Sequence, residues 1–201
     1  MFTQAHFSRR VPVAPDELPG LLSSLLLDRE SPEIAIRALS AADAIPFRNL
    51  ALEALNRDGR FFAADLATEA SRTEREWAAM CEEDAGQAVF GGFVDGKLAG
   101  MMAARRWSGD PTGRTVRWGA AYVKPAHRRV GVGLFLFGTR EQWSQQRGFA
   151  TAVMAIREDN ARAIEIHTDN GAVRFNGEVM SYADGTRAPA HWFRKALNNR
   201  R

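Results

Sequence analysis

The sequence predicts one α/β domain built around a mixed, mostly antiparallel sheet. An Asp-Gly pair at positions 95–96 separates two apolar runs, and a second Asp-Gly pair at 184–185 marks the turn of a last hairpin. Between these hairpins, a strand-like run at 114–124 precedes a helical stretch and then an almost wholly apolar run at 149–156. This order is typical of a strand–helix–strand crossover, in which the two strands lie parallel in one sheet.

Residues 1–32 differ in composition from the rest of the chain. Prolines at positions 12, 15 and 19 interrupt any early helix or strand, and an apolar patch, LLSSLLL, follows at 21–27. We therefore expect an N-terminal extension of residues 1–32 and a main domain of residues 33–201. The patch could pack on the main domain, form a homodimer contact or belong to a disordered arm.

The first strand and the first long helix follow this extension. The segment EIAIRAL at 33–39 alternates apolar and polar residues, which is typical of a strand. Ser40 and Asp43 resemble a capping box that opens a helix running to about Asn56, although Pro46 could instead mark its first turn. The apolar positions expected to be buried in this helix are Ile45, Leu50, Leu52 and Leu55.

A second capping box, Thr73 with Glu76, predicts a helix that runs through Cys81. Cys81 is the only cysteine, so no internal disulfide can form, and this favours a reducing compartment. The neighbouring acids Glu82 and Glu83 would raise the pKa of the Cys81 thiol. We therefore expect a packed thiol rather than a nucleophile.

The C-terminal part of the chain holds the remaining predicted elements. These are strands at 87–94 and 98–107, a strand at 114–124 that ends before Pro125, a helix at 132–147, a strand at 149–156, a helix at 160–168 and a last hairpin at 173–197. The predicted order is one strand, two helices, three strands, a helix, a strand, a helix and two strands.

The stretch RRVGVG at 128–133 stands where a predicted strand gives way to a predicted helix. The first turn of a helix has backbone N–H groups without partners, and the helix dipole adds partial positive charge there. Two glycines would let an anion approach this backbone closely, and Arg128 and Arg129 add charge-assisted hydrogen bonds. The combination indicates a site for a pyrophosphate.

The residues around RRVGVG distinguish between three known kinds of phosphate-binding motif. A P-loop requires GxxxxGK[ST], a string that the sequence lacks, and a dinucleotide fingerprint requires glycine or alanine where Leu136 stands. The string VKP at 123–125 followed by RRVGVG at 128–133 instead resembles the V-x-P…[Q/R]-x-x-G-x-[G/A] motif of the GNAT N-acetyltransferase superfamily. The segment at 157–171 is similar to that family's R-x-x-N-x-x-A-x-x-x-Y-x-x-x-G segment, and the likeness in element order extends over 33–197.

The resemblance implies a GNAT acyl-CoA N-acyltransferase fold with a splayed central strand pair, and acetyl-CoA as cosubstrate. The fourth strand would diverge from the fifth, so that its free backbone groups bind pantetheine and polarise the thioester carbonyl. The backbone of the loop and helix start would hold the pyrophosphate. The residues that the resemblance assigns to acetyl-CoA are Ala121, Tyr122, Val123, Arg128, Arg129, Val130, Gly131, Val132, Gly133, Leu134 and Asn160.

Two catalytic positions depart from the family pattern. His167 stands where the family often has the tyrosine that gives a proton to the departing thiolate, which implies that His167 is the general acid. Alternatively, His167 is a surface histidine in the last turn of a helix, where it complements the helix dipole. The carboxylate that many members carry on the fifth strand is replaced by Ala155. A base could come from Glu53 on the first helix, or through water.

The function that the resemblance implies is direct transfer of an acetyl group from acetyl-CoA to a primary amine of a small molecule or peptide. Because both usual catalytic side chains are replaced, the alternative is a non-catalytic acyl-CoA sensor or scaffold with the same fold. The net charge of +3 is too small to argue for nucleic acid, the four histidines are scattered, and the apolar runs fall short of the ~18 residues of a membrane span. We therefore expect no metal, no nucleic acid and no membrane partner, and a cytoplasmic location.

Overall fold

The computed structural model describes residues 32–197, so the predicted extension of residues 1–32 lies almost wholly outside the described part, together with its apolar patch. The described residues form seven strands and five α-helices. The strands are β1 (Ile34–Ala38), β2 (Gln87–Val94), β3 (Lys97–Arg106), β4 (Thr115–Val123), β5 (Thr151–Arg157), β6 (Val173–Ser181) and β7 (Arg187–Ala196). The helices are α1 (Ala44–Asp58), α2 (Leu66–Ser71), α3 (Glu74–Cys81), α4 (Val132–Gln146) and α5 (Ala161–Asp169).

All seven strands join one sheet in the order β1-β2-β3-β4-β5-β7-β6. Every neighbouring pair is antiparallel except β4 and β5, which are parallel and are connected through α4. Asp95 and Gly96 both have positive φ, at 48° and 74°, as a tight hairpin turn requires. The predicted mixed sheet, both hairpins and the crossover are confirmed.

The sheet carries a separate apolar core on each face. On one face, α1 and α3 bury residues such as Phe47 and Trp77 against β2, β3 and β4. On the other face, α4 and α5 cover a second cluster that includes Trp118 and Phe137. β4 therefore lies between two separate apolar clusters and contributes side chains to both.

Two glycines let α4 lie close to the sheet. A Cβ at Gly92 of β2 would come within 2.7 Å of Cγ1 of Val132, and one at Gly100 of β3 would come within 3.1 Å of the same atom. Any larger residue at Gly92 would push the start of α4 away from the sheet. These glycines therefore set the position of the helix end that follows RRVGVG.

Several local predictions are confirmed and two are wrong. Both predicted capping boxes form, at Ser40 and at Thr73. Of the positions expected in the core of α1, Leu50 and Leu55 are buried, whereas Ile45 is 43% exposed and Leu52 is half-buried, because the buried stripe runs through Phe47, Leu50 and Ala54. The short helix α2 was not predicted, since Asp65 caps it without a long apolar pattern behind it.

Candidate active site

β4 and β5 separate after three residue pairs. Their register runs only from Thr115 opposite Thr151 to Arg117 opposite Val153. Beyond that point β5 continues along β7 while β4 continues along β3, so the two parallel strands form the sides of an open V. The divergence that the resemblance implied for the fourth and fifth strands is therefore present.

The open side of the V is lined by small, exposed residues of β4. Gly119, Ala120 and Ala121 are all exposed, although β4 is an interior strand of a seven-stranded sheet. A Cβ added at Gly119 would meet no atom within 4 Å. The backbone of this stretch is therefore accessible on the side where a neighbouring strand would normally lie.

A one-residue bulge interrupts β4 at the same place. Tyr122 lies opposite Met101, whereas Gly119 lies opposite Ala103, so β4 holds one extra residue, and Ala120 has a φ of +50°. An extra residue reverses the face on which the following side chains lie. Trp118 consequently packs with α4, whereas Tyr122, four residues later, packs with α1.

The loop before α4 forms an anion cradle of backbone N–H groups. Arg129 and Gly131 have positive φ, at 67° and 100°, and Gly131 is the N-cap of α4. The first bond into the helix runs from Phe135 N to Gly131 O at 3.0 Å. The N–H groups of residues 132–134 therefore point out of the helix end, where partial positive charge accumulates. A Cβ at Gly133 would meet only Val123, at 3.8 Å, so this cradle lies beside the end of β4.

The side chain of Arg128 fastens the cradle to the rest of the domain. Its Nη2 donates to Oδ2 of Asp58 on α1 at 2.7 Å, and its Nε donates to the carbonyl of Val123 at 2.8 Å. Two of its donors are thus used within the chain. The Arg128 guanidinium therefore has fewer donors free for an anion than the sequence alone indicates.

On the α1 face, a carboxylate lies next to the end of β4. The Tyr122 hydroxyl donates to Oε1 of Glu53 at 2.9 Å, and Nζ of Lys124 lies 3.6 Å from Oε2 of Glu53. Burial, and then the hydrogen bond to Glu53, raises the pKa of Tyr122 to about 12. Tyr122 therefore remains a hydrogen-bond donor at neutral pH and orients a partly exposed carboxylate.

On the opposite face, His167 of α5 lies between aromatic rings. Its ring centroid is 5.6 Å from that of Phe137 and 6.4 Å from that of Trp118, and its Nδ1 is buried without a hydrogen-bond partner. Burial, followed by the positive charges of Arg140 and Lys195, lowers the pKa of His167 to about 3. The imidazole is therefore neutral near pH 7, and the alternative of a surface histidine that complements the helix dipole is wrong, because the ring packs between aromatic side chains.

Arg140 of α4 is a functional candidate that the sequence analysis missed. It is 1% exposed, its guanidinium carbon lies 4.3 Å from the centroid of the Trp118 ring, and its Nε and Nη2 are buried without hydrogen-bond partners. Burial lowers its pKa to about 9, so it is charged at neutral pH. A signal was available, because Arg140 follows Leu136 by four residues and Phe137 by three, and so interrupts the apolar stripe of α4.

Three further positions named in the sequence analysis have structural roles in the fold. The Oδ1 of Asn160 accepts from Ala163 N at 3.2 Å, so this side chain caps α5, and its cofactor contact stays a prediction. Ala155 on β5 pairs with Trp192 of β7. Cys81 is fully buried, which confirms the packed thiol; burial and then the charge of Asp43, rather than Glu82 and Glu83, raise its pKa to about 11.

Within residues 32–197, no three His, Cys, Asp or Glu side chains are placed to hold a metal ion. Over the same residues, no helix is both long enough and apolar enough to span a bilayer.

Comparisons with solved structures agree with this architecture. The GNAT-family acetyltransferase of Streptococcus pneumoniae superposes with a TM-score of 0.70 at 17% identity, over 82% of this chain and 100% of that chain. YncA of Salmonella typhimurium, a putative acetyltransferase solved with its cofactor acetyl-CoA, superposes with a TM-score of 0.70 at 19% identity, over 84% and 96%. The ribosomal-protein-S18-alanine N-acetyltransferase of Escherichia coli gives 0.61 at 19% identity, over 82% and 94%. At these identities the likenesses establish the fold.

The sequence was also compared with curated proteins and with protein families. No curated protein matches the chain. The model of the Acetyltransferase (GNAT) family matches residues 51–172, which is more than half of the chain and includes β4, the cradle and α5. GNAT acetyltransferases use acetyl-CoA. The chain therefore belongs to the GNAT acetyltransferase family.

Proposed function

We propose that this chain is an N-acetyltransferase, which binds acetyl-CoA and transfers its acetyl group directly to a primary amine of a small molecule or a peptide. The observation that carries the proposal is the open V between β4 and β5, with a backbone anion cradle beside its end. A pyrophosphate bound at the cradle would leave the rest of the cofactor free to lie along exposed backbone. The acetyl-CoA-bound Salmonella structure and the E. coli N-acetyltransferase support the proposal by fold.

The residues present fit acetyl-CoA. The cradle offers backbone N–H donors to the pyrophosphate, and the exposed apolar side chains of Val130 and Leu134 flank it. The small residues before Tyr122 leave room for the pantetheine arm beside free backbone groups. We assign the cofactor contacts to residues 121–123, residues 128–134 and Asn160.

When bound, acetyl-CoA supplies the acetyl group as an activated thioester. Backbone N–H groups of β4 beyond Arg117 have no partner on β5 and would donate to the thioester carbonyl as it gains negative charge. Glu53, held by Tyr122 on the α1 face, would take the proton of the attacking amine. Holding both reactants in the V supplies the orientation that lowers the barrier.

We assign His167 to the leaving sulfur, as the family resemblance implies. Because its pKa lies near 3, His167 would act as a neutral imidazole that donates an N–H hydrogen bond. It would not act as an imidazolium that delivers a proton. Departure of the thiolate then requires some other source of charge stabilisation on this face.

Ligand-dependent melting tests the cofactor site. A ligand present at 100 times its dissociation constant adds about 2.7 kcal/mol to the free energy of unfolding. Acetyl-CoA should therefore raise the melting temperature by about 5–10 °C, with free CoA nearly equal to it and NAD without effect. Gly133→Asp should abolish the shift because it places a negative charge at the phosphates, and the space beside Val123 lets the variant fold.

The matched control is Gly138→Asp, the same exchange on the same helix. Gly138 is exposed, lies away from the cradle and has no atom within 4 Å of an added Cβ. This variant should keep the full shift. A folded Gly133→Asp protein that binds acetyl-CoA with native affinity would show that the cradle does not hold the cofactor.

Turnover separates the enzyme from the alternative sensor. Release of free CoA thiol should accompany at least one amine in a panel of small amines and peptides with free N-termini or lysines. Binding of acetyl-CoA without thiol release on any amine would instead favour a non-catalytic acyl-CoA sensor or scaffold. The replacement of the fifth-strand carboxylate by Ala155 is the observation on the side of that alternative.

A further inference from the structure

The α4 and α5 face of the site holds a buried guanidinium, that of Arg140, without a salt-bridge partner. Glu141 of α4 lies near enough to favour the charged form of Arg140, but its carboxylate is engaged by Lys195 of β7, with Nζ 2.7 Å from Oε1, and both of these side chains are largely buried. Across residues 32–197, no carboxylate lies within salt-bridge distance of Arg140. His167 is neutral near pH 7 and adds no negative charge.

A buried charge of this kind lowers the stability of the folded protein when no ligand is bound. A buried guanidinium needs hydrogen-bond acceptors and an anion to offset its desolvation, and replacing an uncompensated buried ion by an apolar residue often stabilises a protein. Here the Nε and Nη2 of Arg140, together with the Nδ1 of His167, are buried without partners. This cluster resembles a half-formed ion pair that a ligand completes.

The cluster lies where the reactive end of a bound cofactor would arrive. Arg140 stacks on Trp118, which directly follows the last residue of β4 that pairs with β5. Arg140 also lies eight residues after Val132, which corresponds to about 12 Å along α4 from the cradle. A linear arm anchored at the cradle and laid along the V therefore ends near Trp118, His167 and Arg140.

We infer that Arg140 supplies the positive charge that stabilises the CoA thiolate as it leaves, while the neutral His167 donates a hydrogen bond to the thiolate. This inference rests on the proposed function. In the step, the amine nitrogen forms a bond to the acetyl carbon, and the carbon–sulfur bond breaks with its electron pair on sulfur. The amine proton passes to Glu53, and the sulfur leaves as a thiolate whose negative charge is the counter-charge that Arg140 lacks.

Binding of two ligands that differ only in the thiol tests the inference without turnover. CoA and desulfo-CoA should bind about equally at pH 6, where an ordinary thiol with a pKa near ~8.5 is protonated. From pH 6 to pH 8, where Arg140 stays charged, CoA should gain about threefold or more in affinity over desulfo-CoA, because a nearby positive charge lowers the pKa of the bound thiol by about one unit or more. The ratio of the two affinities cancels those effects of titrating Glu141, His167 and Lys195 that both ligands share.

Two variants assign the effect to Arg140. Arg140→Met should bind desulfo-CoA as the parent does but lose the pH-dependent gain for CoA, whereas Arg140→Lys should retain most of that gain. Arg140→Met should also melt at or above the parent temperature, because it removes an uncompensated buried charge. If Arg140 were merely structural, the exchange to Met would lower the melting temperature and weaken both ligands equally, which would overturn the inference.

The wild-type protein alone also gives a decisive result. Equal affinity for CoA and desulfo-CoA at every pH would overturn the inference, with Arg140 then occupied by water or a small anion. The proposed function fails separately, if neither CoA nor acetyl-CoA binds at all. Should Arg140→Met not fold, Arg140→Gln takes its place as the neutral variant, and it too should lose the pH-dependent gain.

Discussion

The charged side chains on the two faces of β4 differ in their exposure and in their pairing. On the α1 face, Glu53 and Asp58 lie beside Lys124 and Arg128, and all four side chains are partly exposed. On the α4 and α5 face, Arg140 is 1% exposed and forms no salt bridge within the described residues, because the nearby carboxylate of Glu141 is engaged by Lys195. The same strand thus separates an exchangeable, paired set of charges from a fixed, unpaired one.

This difference matches the two halves of an acyl transfer. Exposed ion pairs contribute little to stability, so a carboxylate there can exchange partners and accept a proton. A buried charge is not screened by water and acts as a permanent field, which is what a leaving anion requires. We expect proton removal on the α1 face and charge stabilisation on the α4 and α5 face.

The bulge in β4 makes the separation possible. In a regular strand without the bulge, Trp118 and Tyr122 would lie on the same face, since they are four positions apart. With the bulge, Trp118 packs against Arg140 and His167 on one face, and Tyr122 donates a hydrogen bond to Glu53 on the other. A single irregular residue therefore divides the chemistry between two layers.

Removing the carboxylate of the α1 face should have the largest effect on turnover. Glu53→Gln keeps the shape and an acceptor for Tyr122 but cannot take a proton, so turnover should fall about 100-fold or more. Acetyl-CoA affinity should stay within about twofold, because Glu53 lies on the α1 face of β4 and is not among the residues assigned to the cofactor. Thiol release and calorimetry measure the two quantities.

Glu74→Gln is the matched control for that exchange, since Glu74 is an exposed glutamate on α3 outside the site. It should leave both quantities unchanged. Full activity of Glu53→Gln with every amine that the parent accepts would mean that water or another group takes the proton.

His167 variants test whether the opposite face supplies a proton or only a hydrogen bond. His167→Phe removes the donor and should lower turnover about 100-fold with little change in acetyl-CoA affinity. His167→Gln keeps a neutral N–H donor and should retain most of the activity. If Gln is as damaging as Phe, and the parent loses activity as pH rises through a value between 5 and 8, then an imidazolium is the working form and the neutral-donor assignment is wrong.

Acid unfolding provides the smallest and most direct comparison of the two faces. Burial depresses the pKa of His167 to about 3, so its contribution to stability is present above its ordinary value near ~6.5 and is lost as pH falls towards 3. Asp43, whose pKa the Arg37 hydrogen bond lowers to about 2, contributes above about pH 4 and loses its contribution only as pH falls towards 2.

His167→Phe should therefore remove about 4 kcal/mol of pH dependence between pH 6.5 and 3, whereas Asp43→Asn should remove about 2 kcal/mol between pH 4 and 2. Urea unfolding at each pH measures both. A parent protein whose stability is flat from pH 6.5 to 4 would show that His167 is not held in a desolvated site.

Much of this protein could be predicted from local pattern. The capping box at Thr73, the Asp-Gly turns and the glycine-rich helix start each depend on a few adjacent residues, and each has the predicted form. The VKP and RRVGVG strings with the 157–171 segment indicated the family, which the match over residues 51–172 confirms. Such features survive folding because their hydrogen bonds and backbone angles are satisfied within one turn.

The charge arrangement of the site depended instead on contacts between distant segments. Ile45 and Phe47, two positions apart, lie on opposite faces of α1, and packing against the sheet decides that the face with Phe47 is the buried one. Arg140 was not singled out from the sequence, because an arginine on a helix is usually solvated even where it interrupts an apolar stripe. Its burial requires Trp118 from β4 and His167 from α5 to close around it, and that assembly depends on a bulge whose extra residue, Ala120, has no local sequence signal. Burial and desolvation are properties of the packed molecule, because they depend on every segment that excludes water from a group and not on the group's neighbours along the chain.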